Sequence, residues 1–144
     1  MPYNEAMNHS FREIEIQTRG FADVVDLTPQ IEAFLKERDG ADGQLLVFVP
    51  GATAAVTTIE HEPGAVEDLK ASIRRLLPED IPYAHDARWG DGNGFAHVRA
   101  AWFGPSLTIP VVKGKPKLGT WQQVVVVDFD NRPRWRSVVL QLAY

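Results

Sequence analysis

Four consecutive valines at positions 124–127 constrain the fold of this chain more than any other segment. Valine is β-branched and favours extended strands, and the run QVVVV at 123–127 offers no polar face to water. It is too apolar for an exposed edge, so we expect a strand in the centre of a sheet. A second continuous apolar run, LLVFV at 45–49, predicts another strand that is covered on both faces.

Two helices are predicted from their first residues and their apolar spacing. Thr28 as the N-cap and Pro29 at the first helical position begin one helix, which Gly40 ends. Apolar residues at spacings of three and four predict a second helix over 66–76. That helix ends before Pro78 because proline cannot continue it.

Strands account for most of the remaining chain. Alternation or β-branched composition predicts strands at 11–17, 54–60, 95–103, 106–112, 118–129 and 134–142, with hairpin turns at 112–116 and 130–133. The expected fold class is therefore α+β. We predict one domain over 1–144, a large and mostly antiparallel β-sheet system with two main helices on one side.

The composition excludes several classes of protein. The chain has no cysteine, which removes disulfides, thiolate nucleophiles and cysteine metal sites. The first ten residues, MPYNEAMNHS, are polar and lack the apolar segment of a secretion signal. No apolar run approaches the roughly 20 residues that a membrane-spanning helix needs. We therefore expect a cytoplasmic protein with no membrane partner.

The net charge of −4 conceals an asymmetry between the two parts of the chain. Residues 1–86 carry 16 acids and 7 bases, whereas 87–144 carry 3 acids and 8 bases. The basic part can bind phosphate or nucleic acid, or it can pair with the acidic part. Pairing is favoured because mixed charge on a surface is normal. The basic excess lies mainly at Lys113, Lys115, Lys117, Arg132, Arg134 and Arg136.

The segment HDARWGDGNGFAH, residues 85–97, places a histidine at each end of a glycine-rich turn. Glycine adopts positive φ without penalty, so the turn can reverse the chain and bring His85 and His97 together as metal ligands or bases. The alternative is a tight connection with two incidental imidazoles. Asp91 and Asn93 can fix the turn through their own backbone or contribute to the site.

Two residues outside the turn are further candidates. Glu60 ends an apolar strand and would be a base or a metal ligand if it is partly buried, or simply an exposed strand end. Arg99 would share a strand face with His97 two residues earlier. A guanidinium there suits a phosphate-bearing ligand, and it suits equally a salt bridge to a neighbouring strand.

Three segments resemble the YjbQ family, also called the secondary thiamine-phosphate synthase family. They are FVPGATAAVTTIEHEPG (48–64), YAHDARWGDGNGFAHVRAAWFGPSLTIPVV (83–112) and LGTWQQVVVVDFDNRPRWR (118–136). The most specific pattern runs from Ser106 to the GTWQ sequence at 119–122. The resemblance implies an α+β fold assembled as a homotrimer, with sites near the subunit boundaries, and a weak transferase activity that joins a pyrimidine methyl diphosphate to a thiazole phosphate.

Two histidine positions of the family pattern differ in this chain. His85 and His97 match the pattern, but Phe95 stands where members typically carry histidine, and Gly51 where many do. If 95–103 is a strand, Phe95 lies on the same face as His97 and replaces a ligand with an apolar wall. The cluster that the resemblance implies is therefore reduced to two imidazoles.

The leading hypothesis is a small cytoplasmic enzyme that acts on a phosphorylated metabolite, with thiamine-phosphate synthesis as the reaction to test. Glu60, His61 or Asp91 could complete a divalent site, zinc or magnesium, with His85 and His97; otherwise the two imidazoles act without metal. The alternative is a metabolite-binding or nucleic-acid-binding trimer without catalysis, in which nucleic acid is the less favoured partner. The expected catalytic residues are His85, His97, Glu60 and Asp91, and the expected substrate contacts are Arg99, Asn93 and Ser106.

Overall fold

The computed structural model describes residues 7–144. In that part of the chain it contains eight strands and four helices. In chain order they are β1 (His9–Thr18), β2 (Asp23–Asp26), α1 (Thr28–Lys36), β3 (Gly43–Phe48), β4 (Ala54–Ile59), α2 (Pro63–Leu76), α3 (Ala84–Trp89), α4 (Gly94–Phe103), β5 (Ser106–Val112), β6 (Lys115–Pro116), β7 (Gln123–Asp128) and β8 (Arg134–Ala143).

The strands form two antiparallel sheets. One has five strands in the order β1-β8-β3-β5-β6, and the other has three in the order β2-β7-β4. Every pair of neighbouring strands is antiparallel. The predicted α+β class with a mostly antiparallel sheet system is confirmed. None of the helices in residues 7–144 is long and apolar enough to cross a membrane.

The valine run occupies the position that its composition requires. Strand β7 lies between β2 and β4, and all four valines are completely buried. Val124 and Val126 pack in a core built from both sheets and α1, whereas Val125 and Val127 pack on the other side with residues of α2 and α4. The three-stranded sheet is therefore covered on both faces, which explains the absence of a polar side to this strand. Helices α1 and α2 lie on opposite faces of this sheet and not on one side as expected.

The two predicted helices are present, with one difference in capping. Helix α1 begins at Thr28, but Leu27 is its N-cap and makes no side-chain bond to the helix. The hydroxyl of Thr28 instead accepts a hydrogen bond from the backbone N–H of Val124, 3.0 Å away. The side chain that was expected to cap the helix therefore ties it to β7. Helix α2 starts at Pro63, capped by the side chain of Glu62.

The strand predicted over 95–103 is wrong, because this segment forms α4. Ala96 and Ala100, four residues apart, are buried against the three-stranded sheet together with Phe95. Residues four apart share one face of a helix, and the small alanines allow α4 to lie close to β4. The alternation of apolar and polar residues was a weaker constraint than this helical spacing.

Two expectations near β7 also need correction. The strand predicted over 118–129 is confined to β7, since residues 118–122 form an irregular segment. The hairpin at 130–133 is wrong because β7 and β8 do not pair; they belong to different sheets. The hairpin at 112–116 is confirmed, with Val112 paired to Lys115.

We predict that Val126→Thr lowers the free energy of unfolding by about 1–3 kcal/mol, because it buries a hydroxyl in an apolar core. The matched control is Val139→Thr on β8, where the side chain is only half-buried and its hydroxyl can reach water. That change should stay within about 0.5 kcal/mol of the wild type. Urea denaturation of both variants measures the difference, and equal losses would contradict the central placement of β7.

Candidate functional site

The glycine-rich turn brings His85 and His97 together, which is one of the two alternatives that the sequence left open, but it does so through two helices. His85 lies on α3 and His97 on α4, and their ring centroids are 4.2 Å apart with a tilt of 35°. Gly90 ends α3 in the left-handed region at φ +72°, where glycine has no steric penalty. A Cβ on Gly94 would lie 2.6 Å from Cβ of Tyr83. Glycine at position 94 therefore allows the two helices to approach.

The imidazoles face a polar cavity of about 490 Å³. It lies where the α3–α4 turn meets the beginning of β8 and the residues just before β4. Its polar lining includes His85, His97, Asp91, Asn93, Arg134 and Arg136. The cavity therefore combines two imidazoles, two guanidinium groups and a carboxylate, which is the residue composition of a site for an anionic ligand.

Arg136 is held almost completely buried at the base of the cavity. Its guanidinium donates to both oxygens of Asp128, with Nε to Oδ2 at 2.7 Å and Nη2 to Oδ1 at 2.8 Å, and also to the hydroxyl of Thr53. Asp128 has no exposed surface. A two-point pair of this kind fixes the orientation of the guanidinium.

Asp130 fixes two further residues of the cavity. It is fully buried and accepts hydrogen bonds from Nε of Arg134 at 2.8 Å and from Nδ2 of Asn93 at 3.3 Å. Burial by itself raises the pKa of the Asp130 carboxyl, but the bonds from Arg134, the backbone N–H of Asn131 and Asn93 outweigh it and hold this pKa at about 2. Asp130 is therefore ionised at neutral pH and orients both neighbours.

Two buried polar atoms at the cavity have no hydrogen-bond partner among the described residues: Oδ1 of Asn93 and Nδ1 of His85, whose 3.2 Å contact with Oδ1 of Asp91 does not have the geometry of a hydrogen bond. The amide of Asn93 cannot be reversed, because its nitrogen must donate to the ionised Asp130. Its carbonyl oxygen is therefore an acceptor with nothing to accept. Buried polar groups are normally satisfied, so these two atoms mark where a guest molecule or ion would gain contacts.

The region around His85 has the donor atoms for a divalent cation. Nδ1 of His85 lies 3.2 Å from Oδ1 of Asp91 and 3.6 Å from Oδ1 of Asp86, and one ligand atom from each of these residues fits within 4.8 Å. A set of imidazole nitrogen and carboxylate oxygens suits zinc better than magnesium, which prefers oxygen alone. His97, which was expected to be the second histidine ligand, stacks on His85 and lies outside this cluster.

Four of the candidate residues are not brought to this cavity: Glu60, His61, Ser106 and Arg99. The first residues of β4 adjoin the cavity, and Glu60 follows the last one. Since a strand rises about 3.3 Å per residue, Glu60 lies roughly 20 Å from the cavity. His61 lies beside Glu60, and its Nε2 is 3.4 Å from the carbonyl oxygen of Val24. Ser106 begins β5 and lines a different cavity together with Phe103.

Arg99 does not share a face with His97, and that expectation is wrong because α4 is a helix. Its side chain is 1% exposed and donates to the carbonyl oxygen of Leu77 from both Nε and Nη2, at 2.9 and 2.7 Å. Nη1 donates to Glu79, and the guanidinium carbon lies 4.8 Å from the ring centroid of Phe95. Arg99 thus joins α4 to the end of α2 and is absent from the cavity lining.

The two positions that depart from the family pattern have different surroundings. Successive helical residues are about 100° apart, so Phe95 and His97 point to opposite sides of α4, and Phe95 is buried in the core. The expected apolar wall beside His97 is therefore wrong. A Cβ on Gly51, in contrast, would lie 3.2 Å from Nη1 of Arg136. Position 51 thus adjoins the site and position 95 does not.

Sequence reasoning missed the two acids that organise the cavity. Asp128 and Asp130 stand within DFDNRPR, where aspartate, asparagine and proline are also typical of a turn. The sequence did contain an indication of their role: two aspartates directly follow the apolar valine run, and arginines come next at positions 134 and 136. Charges next to such a strand are expected to be buried only as pairs.

A larger cavity of about 800 Å³ lies near the opposite end of β7, where Gln123 and the irregular segment before it meet α1 and the β5–β6 hairpin. Its cationic residues, Lys36, Lys113 and Lys115, are all exposed, and Glu32 and Asp39 share the lining. No imidazole of the described chain lines it. In the smaller cavity, by contrast, the two arginines are fixed by buried aspartates.

The fold and cavity define an α+β protein of two antiparallel sheets with a histidine–arginine site at one end. The family model described as UPF0047 protein YjbQ-like matches residues 12–144. The chain therefore belongs to the UPF0047, YjbQ-like family. A UPF0047 protein of Mycobacterium bovis is 46% identical over 117 residues, 81% of this chain and 88% of its own length. One of Archaeoglobus fulgidus is 36% identical over 129 residues, covering 90% and 98%.

Solved structures agree with this assignment. A YbjQ-like protein of unknown function from Sulfolobus solfataricus P2 matches with a TM-score of 0.89 and 30% identity, over 95% of this chain and 98% of its own. A hypothetical protein from Aeropyrum pernix K1 matches with a TM-score of 0.84 and 36% identity, over 94% and 98%. The family and fold that the sequence indicated are thereby confirmed.

We predict that the stability of this protein falls between about pH 4 and pH 2 in part through Asp130. Its pKa is about 2 in the folded protein, against an ordinary value of 3.8, so the unfolded chain takes up the proton first and acid favours unfolding. In Asp130→Asn this contribution is absent, and the free energy of unfolding should vary less over that interval. Urea denaturation at several pH values measures the slope; parallel slopes for the two proteins would contradict the assignment.

Proposed function

We propose that this protein is a small cytoplasmic enzyme that binds a phosphorylated metabolite in the histidine–arginine cavity. The observation that carries the proposal is the convergence of Arg134, Arg136, His85 and His97 on one polar space. Guanidinium groups are well suited to phosphate because they offer paired donors in one plane. Imidazole nitrogens can donate and accept protons in acid–base catalysis.

The arginines would supply the phosphate contacts. In both Arg134 and Arg136, Nε and Nη2 contact a carboxylate oxygen of a buried aspartate, and each of these N–O distances is 2.8 Å or less. Within residues 7–144, Nη1 of neither arginine donates a hydrogen bond to the protein. The two N–H groups on Nη1 of each arginine are therefore left for a ligand. Fixed donors of this kind lose little freedom when the ligand binds.

His85, with Asp91 and Asp86, would hold a divalent cation if one is required, since their donor atoms lie close together and Nδ1 of His85 has no other partner. Such an ion would supply positive charge to neutralise a departing phosphate group. His97, on the opposite side of the stacked pair, would remain free for proton transfer. Without a metal, both imidazoles would serve acid–base catalysis and phosphate binding.

The specific reaction that we propose to test is thiamine-phosphate synthesis, which the family resemblance implies. The C–O bond to the diphosphate breaks, the diphosphate departs with the electron pair, and the thiazole nitrogen forms the new C–N bond to the pyrimidine methyl carbon. This reaction needs neutralisation of the leaving group and positioning of the two partners more than it needs a strong nucleophile. The cavity's guanidinium groups would donate hydrogen bonds to the departing diphosphate, and a cation held by the His85 cluster would supply the neutralising charge, because each arginine is already paired with a buried aspartate. The homotrimer that the resemblance implies is part of the same proposal.

Pyrophosphate binding tests the anion site directly. Arg134→Gln should weaken the binding of inorganic pyrophosphate by about tenfold or more, the order expected for lost charged hydrogen bonds. Arg132→Gln is the matched control, because Arg132 is exposed and lies outside the cavity. Isothermal titration calorimetry would measure both. Equal affinities for the two variants would argue against the cavity, and binding to DNA or RNA with steep salt dependence would favour the non-catalytic alternative.

Turnover tests the role of the imidazoles. With the pyrimidine diphosphate and thiazole phosphate as substrates, His97→Ala should lower kcat by a factor of about 10² or more, the usual effect of losing an acid–base group. His61→Ala should retain activity, since His61 lies outside the cavity. The assay is run with metal-free protein and with added zinc or magnesium. An absence of turnover under every condition would remove this reaction from consideration, while leaving phosphate binding to be judged by calorimetry.

A further inference from the structure

Trp89 is placed where it can contact a ligand held in the histidine–arginine cavity. It is the last residue of α3, four residues after His85, and residues at this spacing lie on the same side of a helix. Both side chains line the cavity. Of the described residues in that lining, Trp89 contributes the only large apolar ring.

The exposure of Trp89 has no explanation in the packing of the chain itself. The residue is 65% exposed, and α3 contains no buried residue. Three other tryptophans are about as exposed, but none of them lines this cavity. Trp89 therefore presents an indole surface directly beside fixed cationic groups.

One face of the indole already has a partner. The guanidinium carbon of Arg88 lies 5.2 Å from the centroid of the Trp89 ring, a distance typical of a cation–π contact. A ring with a guanidinium over one face can still stack a second planar group on its other face. An aromatic ring and a set of guanidinium groups around one space match a ligand that carries both a flat ring and a phosphate.

We propose that Trp89 determines specificity by stacking on a planar heteroaromatic ring of the phosphorylated ligand. This inference rests on the proposed function, because the arginines must hold the phosphate for the ring to reach the indole. A cavity of about 490 Å³ is large enough for a ligand of mononucleotide size. A ligand with a heteroaromatic ring should therefore bind more tightly than inorganic phosphate or a sugar phosphate, which have no ring to stack on Trp89.

Three probes separate the two contributions: inorganic pyrophosphate, ribose 5-phosphate and uridine 5′-monophosphate. We expect the wild type to bind uridine 5′-monophosphate about tenfold more tightly than ribose 5-phosphate, the order of one base stacked on an aromatic ring. In Trp89→Leu this ratio should fall to about one, while pyrophosphate binding is unchanged. Trp89→Phe should retain most of the ratio because it keeps an aromatic face.

The matched control is Trp102→Leu, since Trp102 is 68% exposed and lies outside the cavity; it should leave the ratio intact. Sedimentation of each variant shows whether the assembly has changed. A ratio that persists in Trp89→Leu, or a Trp89→Leu variant that alters only the assembly, would overturn the stacking role. Pyrophosphate binding without any gain from the uracil ring would overturn it while preserving the phosphate site. A wild type that binds none of the three probes overturns both proposals.

Discussion

Two buried carboxylates at the end of the most apolar strand determine how the two sheets meet. Asp128 and Asp130 have no exposed surface, and an unpaired ionised carboxylate in that position would cost several kcal/mol. Asp128 accepts hydrogen bonds from Thr18 on β1 and Arg136 on β8, both strands of the five-stranded sheet. The network therefore joins that sheet to the end of β7 and explains why the chain passes to the other sheet after position 130.

The cavity is a consequence of this network. The side chains that satisfy the aspartates also present their remaining polar atoms to the cavity, as Arg136, Arg134 and Asn93 do. The formal charges of the two arginines are balanced by Asp128 and Asp130, so the cavity's attraction for a phosphate comes from fixed donor geometry more than from net charge. A cation at the neighbouring His85 cluster would complement such a ligand, because it would add the positive charge that the balanced arginines lack.

The sequence predicted the features that depend on local chemistry. Four valines require a strand buried on both faces, and the glycines between His85 and His97 permit the reversal that stacks the two rings. The predictions from sequence were wrong where tertiary contacts determine the secondary structure or the strand pairing. Alternation in 95–103 imitates a strand, but the buried faces of Ala96 and Ala100 require a helix. The apparent turn at 130–133 leads from one sheet to the other because its preceding acids find partners on β1 and β8, which no local pattern encodes.

The difference between positions 51 and 95 follows from the same distinction. If residues 95–103 formed a strand, both departures from the family pattern would alter the same histidine cluster. In the structure, Phe95 fills the core under α4, with Arg99 across its ring, so its consequence is packing. Gly51 leaves the space beside Nη1 of Arg136 without a side chain, and that nitrogen is one of the donors available to a ligand. Gly51 also has φ +122°, a backbone conformation that residues with a side chain rarely adopt, so a histidine at position 51 would require the backbone beside this guanidinium to change.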